Sequence, residues 1–105
     1  MARTLDCPCP PQPITCVGDA TGFGISKQST MQSVGRTASE ISYKGALDAV
    51  NNVTCAGNCR KEISKTPIQK TTLEEGTRLW WTLFIVVECH VQCETTITVA
   101  CVVDG

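Results

Sequence analysis

Eight cysteines lie in a chain of 105 residues. Such a density is typical of disulfide-bonded proteins in an oxidising compartment, or of thiolate metal sites in a reducing one. Since each chemistry ties together different parts of a chain, the choice between them limits the fold. The eight candidates for disulfide formation are Cys7, Cys9, Cys16, Cys55, Cys59, Cys89, Cys93 and Cys101.

The sequence favours disulfides over a metal site as the role of the cysteines. Eight cysteines allow about 105 pairings, and the sequence alone does not select one. We expect Cys89 and Cys101 to be neighbours across a hairpin centred near residue 94 or 95. These predictions leave Cys7 and Cys9 without a partner in the core.

The middle cysteines are expected near the end of a helix. From there, Cys55 or Cys59 would meet Cys16 or Cys93. Either contact would tie the helix end to the sheet.

Residues 1–13 are predicted to form an extended arm. The arm contains four prolines, which fix φ and remove backbone donors, so neither a helix nor a central strand is expected. The bond between Cys7 and Cys9 would be strained, because only one residue separates them. We therefore expect Cys7, Cys9 or both to bond to a neighbouring subunit.

A zinc site is the alternative use of the cysteines. The spacing of Cys55 and Cys59, and that of Cys89 and Cys93, falls within the C-x₂₋₄-C range of zinc ligands. His90 is a possible further ligand. Against this alternative, the second pair flanks a strand end and lacks the glycine of a zinc knuckle, so we predict no metal and no cofactor.

An α+β fold follows from the order of the hydrophobic patterns. Residues 38–53 carry the only helical pattern, with Thr37, Ser39 or Ser42 as its cap. The expected order is β(β)αβββ: an antiparallel sheet of three to five strands with one helix on one face, and with residues 14–105 as a single domain. The apolar stripe of this helix is predicted at Ile41, Ala46, Leu47, Ala49, Val50 and Val53. The extended segments are predicted at residues 14–25, 26–36, 65–73, 78–91 and 95–103.

Turns are predicted at Glu74-Glu75-Gly76 and at Gln92-Cys93-Glu94. Residues 14–25 contain three glycines, which in a strand indicate bulges or a close approach of another backbone.

The strand over residues 78–91 is apolar on both faces. Its odd positions would pack against the helix, which leaves Trp80, Phe84 and Val86 on the opposite face. Burial of each large apolar side chain is worth about 1.5–3 kcal/mol, so these three residues are expected in a contact between subunits. The alternative is that the N-terminal strands fold over this face.

Charge and hydropathy exclude several classes of protein. The net charge is −1, so we expect no nucleic-acid partner, because such binding needs a basic excess. The apolar stretch of residues 79–87 is too short to cross about 30 Å of hydrocarbon as a helix. Residues 1–13 lack the apolar region of a signal peptide, although the cysteine content favours an extracellular or cell-surface location.

The predicted function is structural. Since there is one histidine and the only adjacent acids, Glu74 and Glu75, lie in a predicted turn, no enzyme is predicted. We expect a self-assembling subunit of a disulfide-stabilised homo-oligomer, such as an extracellular filament or fibre, whose partners are copies of itself. The alternative is a small cytoplasmic zinc- or ligand-binding module.

Overall fold

A computed structural model describes residues 3–79 and 86–103. It contains one helix packed on one face of an antiparallel sheet, together with a small parallel pair of strands, which confirms the predicted α+β class. The elements in chain order are β1 (Arg3–Leu5), β2 (Cys9–Gly24), α1 (Lys27–Asn51), β3 (Val53–Cys55), β4 (Cys59–Ile63), β5 (Ile68–Leu79) and β6 (Val86–Val103).

Strand β6 is the centre of the sheet. Strand β2 pairs with one of its edges along nearly the whole length. Strands β4 and β5 pair one after the other with the opposite edge. Between them, the backbone N–H of Ser64 donates to the carbonyl of Thr98 at 2.9 Å. The sheet is therefore three strands wide, and its third strand is interrupted at residues 64–67.

The N-terminal arm is extended, as predicted, and it is paired within the chain. Strand β1 lies parallel to β3, with Leu5 opposite Cys55. The backbone N–H of Ala56 donates to the Leu5 carbonyl at 2.9 Å. Prolines 10, 11 and 13 lie at the start of β2, which is an edge strand, where a missing backbone donor is tolerated.

The two faces of β6 differ because successive side chains of a strand point in opposite directions. From Val87 to Cys101 its odd positions face α1 and are buried, and they include Val91 and Val99, which are 1% and 0% exposed. The inward orientation predicted for the odd positions of residues 78–91 is thus confirmed at Val87, Cys89 and Val91. Its even positions face away from the helix, and most of them are polar: Glu88, His90, Gln92, Glu94, Thr96 and Thr98.

A narrow row of small residues on α1 meets the sheet. Its members recur every four positions, and such a row is inclined by about 26° to the helix axis, so α1 crosses the strands obliquely. The row consists of Thr30, Val34, Ala38, Ser42, Ala46 and Val50.

Glycines of β2 allow the helix to come very close to the sheet. A Cβ atom added to Gly18 would lie 2.1 Å from the carbonyl oxygen of Ala38, and one added to Gly22 would lie 2.7 Å from a methyl of Val34. Since real Cβ atoms do not approach a backbone oxygen this closely, only glycine fits at position 18. The close backbone approach that the sequence indicated is confirmed.

Polar side chains occupy the middle of the helix–sheet contact. The buried hydroxyls of Ser42 and Thr95 are 2.7 Å apart, and the Gln69 side-chain amide donates to the Thr95 hydroxyl at 3.1 Å. These groups lie between two apolar clusters, one around Val99 and one around Val91. Because the polar groups are satisfied, their burial carries no unpaired-group penalty.

Both ends of α1 are capped by side chains. The hydroxyl of Ser26 accepts the backbone N–H of Ser29 at 3.3 Å. At the other end, the Lys61 ammonium donates to the carbonyls of Val50 and Val53 at 3.1 and 2.9 Å. The last turn of α1 has no basic residue of its own, so Lys61 supplies the cation that favours a helix C-terminus.

The predicted limits of the helix were wrong. The helix begins at Lys27, not at residue 38, and Ser26 caps it instead of Thr37, Ser39 or Ser42. The interpretation of residues 26–36 as extended is also wrong, since all but Ser26 are helical. The predicted apolar stripe placed Ile41 inside, but this side chain is 47% exposed. The true contact row includes a threonine and a serine, so hydrophobic periodicity did not identify it.

The predicted limits of the last strands were also wrong. Residues 92–94 are not a turn but the middle of β6, and Glu74-Glu75-Gly76 lies inside β5. Gln92 and Glu94 point to the open face, where polar residues are compatible with a strand. The connection between β5 and β6 lies at residues 80–85, outside the described residues.

The molecule is long and thin. Its principal extents are 67 × 23 × 14 Å, and its radius of gyration is 18.7 Å, against about 13 Å for a compact chain of this length. One helix of 25 residues, about 37 Å long, covers one face of the sheet. The opposite face has no layer over it among the described residues.

We predict that Gly18→Ala destabilises the protein by about 1–3 kcal/mol or more, because the new methyl group would overlap the Ala38 carbonyl. The control is Gly35→Ala, whose Cβ would meet nothing closer than 3.9 Å; it should be neutral or stabilise α1 by up to about 1 kcal/mol. Urea unfolding measures both. Equal effects of the two changes would contradict the close approach.

We predict that Lys61→Met lowers the free energy of unfolding by about 1–2 kcal/mol, since it removes the charged donor from the end of α1. Lys65→Met is the control, because Lys65 is exposed and donates to no described residue. Thermal unfolding of the two variants compares them. A loss no larger in Lys61→Met than in the control would contradict the capping role.

Candidate functional site

Two disulfides join the elements at one end of the molecule. Cys7 bonds to Cys59 with a Cα–Cα distance of 6.2 Å, and Cys55 bonds to Cys101 with a distance of 5.8 Å. Both bonds connect parts of the chain far apart in sequence. They tie β1, β3 and β4 to the end of β6.

This pairing differs from the predicted one. Cys89 and Cys101 lie on the same strand, β6, so they do not face each other across a hairpin. Cys55 and Cys59 meet neither Cys16 nor Cys93. The mispredicted turn at residues 92–94 caused the first error.

The other four cysteines are free thiols: Cys9, Cys16, Cys89 and Cys93. The last two are buried beneath α1, where the Cys93 sulfur accepts the Ser39 hydroxyl at 3.5 Å. On the arm, the Cys7 sulfur is bonded to Cys59 of the same chain, which leaves no free thiol at Cys7 for a bond to another subunit. Cys9 is 8% exposed.

The alternative zinc ligands are not brought together. Cys55 and Cys59 are in disulfides. Cys89 and Cys93 face the helix, whereas His90 faces the open side of the sheet. Among residues 3–79 and 86–103, no three ligand side chains are grouped for a metal ion.

The open face of the sheet carries a polar network across β2 and β6. Asp19 contacts His90 at 2.5 Å and accepts the Gln92 side-chain amide at 2.7 Å. The hydroxyls of Thr15 and Thr96 are 2.8 Å apart. The hydrogen bond from Gln92, followed by the interaction with His90, holds the pKa of the Asp19 carboxyl below its ordinary value.

A shallow depression lies beside this network. Besides His90, its lining includes the carboxylates of Glu75 and Glu88 and the hydroxyl of Thr21. Within the described chain, the only hydrogen-bond partner of the His90 ring is Asp19. Among the described residues, no hydroxyl or thiol that lines the depression is hydrogen-bonded to His90.

The two long edges of the sheet differ. Strands β4 and β5 carry many charges on one edge, including the ion pair of Arg60 and Glu62 at 2.9 Å, and a bulge interrupts β5 between Thr71 and Leu73. Such features discourage pairing with another strand. On the opposite edge, residues 14–24 of β2 contain one charged residue, Asp19, and their register is unbroken. No described strand pairs with this outer edge.

Exposed apolar side chains lie on the same open face. Val17 and Phe23 of β2 are 57% and 65% exposed, and Ile68 of β5 is 68% exposed. Of the three predicted contact residues, Trp80 and Phe84 lie outside the described residues. The third, Val86, is half-buried at the start of β6.

Comparison with known proteins finds no matching family, no matching curated protein and no matching solved structure. In the part of the chain that the structure describes, no helix has both the length and the apolar character needed to cross a membrane.

The network around Asp19 was missed by sequence reasoning, although the sequence contains a signal for it. Polar side chains occupy alternate positions of residues 88–98, which indicates one polar face along a continuous strand. The partner on β2 could not be predicted in the same way, because the register that brings Asp19 beside Gln92 depends on the tertiary pairing.

We predict that Gln92→Leu raises the pKa of Asp19 toward its ordinary value, since the hydrogen bond from Gln92 is the largest cause of the lowering. With a lowered folded-state pKa, the network stabilises the fold above the unfolded pKa. This contribution to stability is lost as the pH falls through the folded-state pKa of Asp19. NMR titration of the Asp19 carboxyl measures the change. Gln28→Leu on α1 is the control, and an equal pKa in both variants would contradict the assignment.

Proposed function

We propose that the protein is a structural subunit that assembles with copies of itself. The observation that carries the proposal is the outer edge of β2 in residues 14–24, which pairs with no described strand, on a sheet that no other described element covers on one face. An edge strand presents a row of unpaired N–H and C=O groups, and another copy can add a strand to it.

The distribution of charge supports pairing at this edge. Asp19 is its only charged residue, and its carboxylate is already bound to Gln92 and His90. The net charge of the chain is −1, so copies repel one another weakly.

The open face supports the same proposal. Val17, Phe23 and Ile68 are exposed on it, and a neighbouring copy that extends the sheet would cover part of this apolar surface. The β4–β5 edge discourages pairing, so growth beyond a pair of copies would use a second contact on the open face. An unclosed repeat of such a contact produces a filament, whereas a closed one produces a ring.

The disulfides would stabilise the subunit rather than link subunits. A two-layer molecule has a small core, and each disulfide contributes roughly 2–4 kcal/mol by constraining the unfolded chain. The joined segments are separated by 52 and 46 residues, so both bonds close long loops. This arrangement suits a thin subunit that must persist in an oxidising environment.

Assembly is tested by analytical ultracentrifugation and electron microscopy of the oxidised protein. We expect particles heavier than the 11.3 kDa chain. Val17→Lys should shift the population toward the monomer, because a lysine on an edge strand opposes pairing. A protein that stays monomeric at every concentration would contradict the proposal.

The matched control is Gln32→Lys, which adds the same charge to an exposed position of α1, away from the β2 edge. It should assemble like the unchanged protein. Equal loss of assembly in the two variants would show that net charge, and not the edge, controls association.

A further inference from the structure

Five of the eight cysteines lie at the disulfide-bonded end of the molecule. Two disulfides use four of them, and Cys9 is left as a thiol. Its side chain belongs to the same buried cluster as Cys101, against which Cys55 packs. A free thiol thus lies beside a disulfide in a region with little water.

Strand pairing places Cys9 directly opposite Cys101. The two residues are partners in the antiparallel register of β2 and β6, so their side chains lie on the same face. Opposed Cα atoms in such a pair are about 4.5–5.5 Å apart, which falls inside the range of about 4.4–6.8 Å that disulfides require. The register therefore places Cys9, like Cys55, within disulfide-forming range of Cys101.

Hydrogen bonds hold the Cys9 sulfur in this region. The side-chain amide of Gln12 donates to it at 3.1 Å, and the thiol donates to the carbonyl of Pro10 at 3.4 Å. These contacts restrict the Cys9 side chain to the cluster.

We propose that Cys9 and the Cys55–Cys101 bond form a thiol–disulfide exchange site. The thiolate of Cys9 attacks the Sγ of Cys101, a Cys9–Cys101 bond forms, and the Cys101–Cys55 bond breaks. Cys55 leaves as a thiolate and takes up a proton equivalent to the one that Cys9 lost to solvent. The number of disulfides is unchanged, so no oxidant or reductant is consumed.

The exchange moves the free thiol toward the surface. Cys9 and Cys101 are 8% and 1% exposed, whereas Cys55, at the end of β3, is partly exposed. After exchange, Cys55 is the group that an external thiol reagent or disulfide reaches. The structure thus assigns Cys55 as a modification site that is protected until Cys9 reacts.

The test is disulfide mapping of the oxidised protein by mass spectrometry. The full chain is incubated at about pH 8.5, the ordinary pKa of cysteine, and about three pH units lower. It is then treated with N-ethylmaleimide and digested without reductant. At the higher pH we expect a Cys9–Cys101 peptide and a labelled Cys55. Label on Cys9 alone, with the Cys55–Cys101 bond intact, would overturn the proposal.

Two serine variants separate the roles of the free thiols. Cys9→Ser should lose the labelling of Cys55, while Cys16→Ser, which removes another free thiol of β2, should retain it. If Cys9→Ser fails to fold, the order of labelling in the unchanged protein decides: label on Cys55 must rise as label on Cys9 falls.

Dilution distinguishes this reaction from exchange between copies. An exchange within one chain has a rate independent of protein concentration, so it proceeds equally in a monomer. A labelling rate of Cys55 that falls in proportion to concentration would overturn the intramolecular step, whatever the state of assembly.

Discussion

Strand β6 is the element on which every other part of the fold depends. It pairs with β2 on one edge and with β4 and β5 on the other, and the side chains at its odd positions form the surface against which α1 packs. The contact is close because the helix presents small residues and β2 presents glycines, such as Gly18 against Ala38. Since the core is built mainly from valine, alanine and cysteine, its stability depends on this close fit more than on large apolar side chains.

The general fold could be predicted from the sequence, whereas the limits of its elements could not. The helix and the β-rich C-terminal part have clear hydrophobic patterns, so the sequence predicts the fold class and the order of the elements. The start of the helix was hidden because its contact row includes Thr30 and Ser42, whose hydroxyl meets Thr95 inside the core. The length of β6 was misjudged because the polar residues Gln92 and Glu94 were interpreted as a hairpin connection, although neither belongs to the residue types that favour turns. In the fold they are the outward residues of a strand.

On the open face of the sheet, too, the sequence predicts a local pattern but not the tertiary contacts. Alternation in residues 88–98 reveals a polar face, but the sequence does not show that Asp19 lies across from it. Nor does it show which edges of the sheet stay unpaired. Whether an edge is free is a property of topology: β2 is an edge because β6 takes both β4 and β5 on its other side.

The disulfides stabilise the short strands at one end of the thin molecule. The strands β1 and β3 are short and lie where the sheet ends, so backbone pairing alone gives them little support. Covalent bonds from Cys7 and Cys55 secure them to β4 and β6. Placing five cysteines in this one region leaves an unpaired sulfur, and the register then determines which bond it can reach. The same packing that stabilises the end of the sheet therefore places a free thiol beside one of its disulfides.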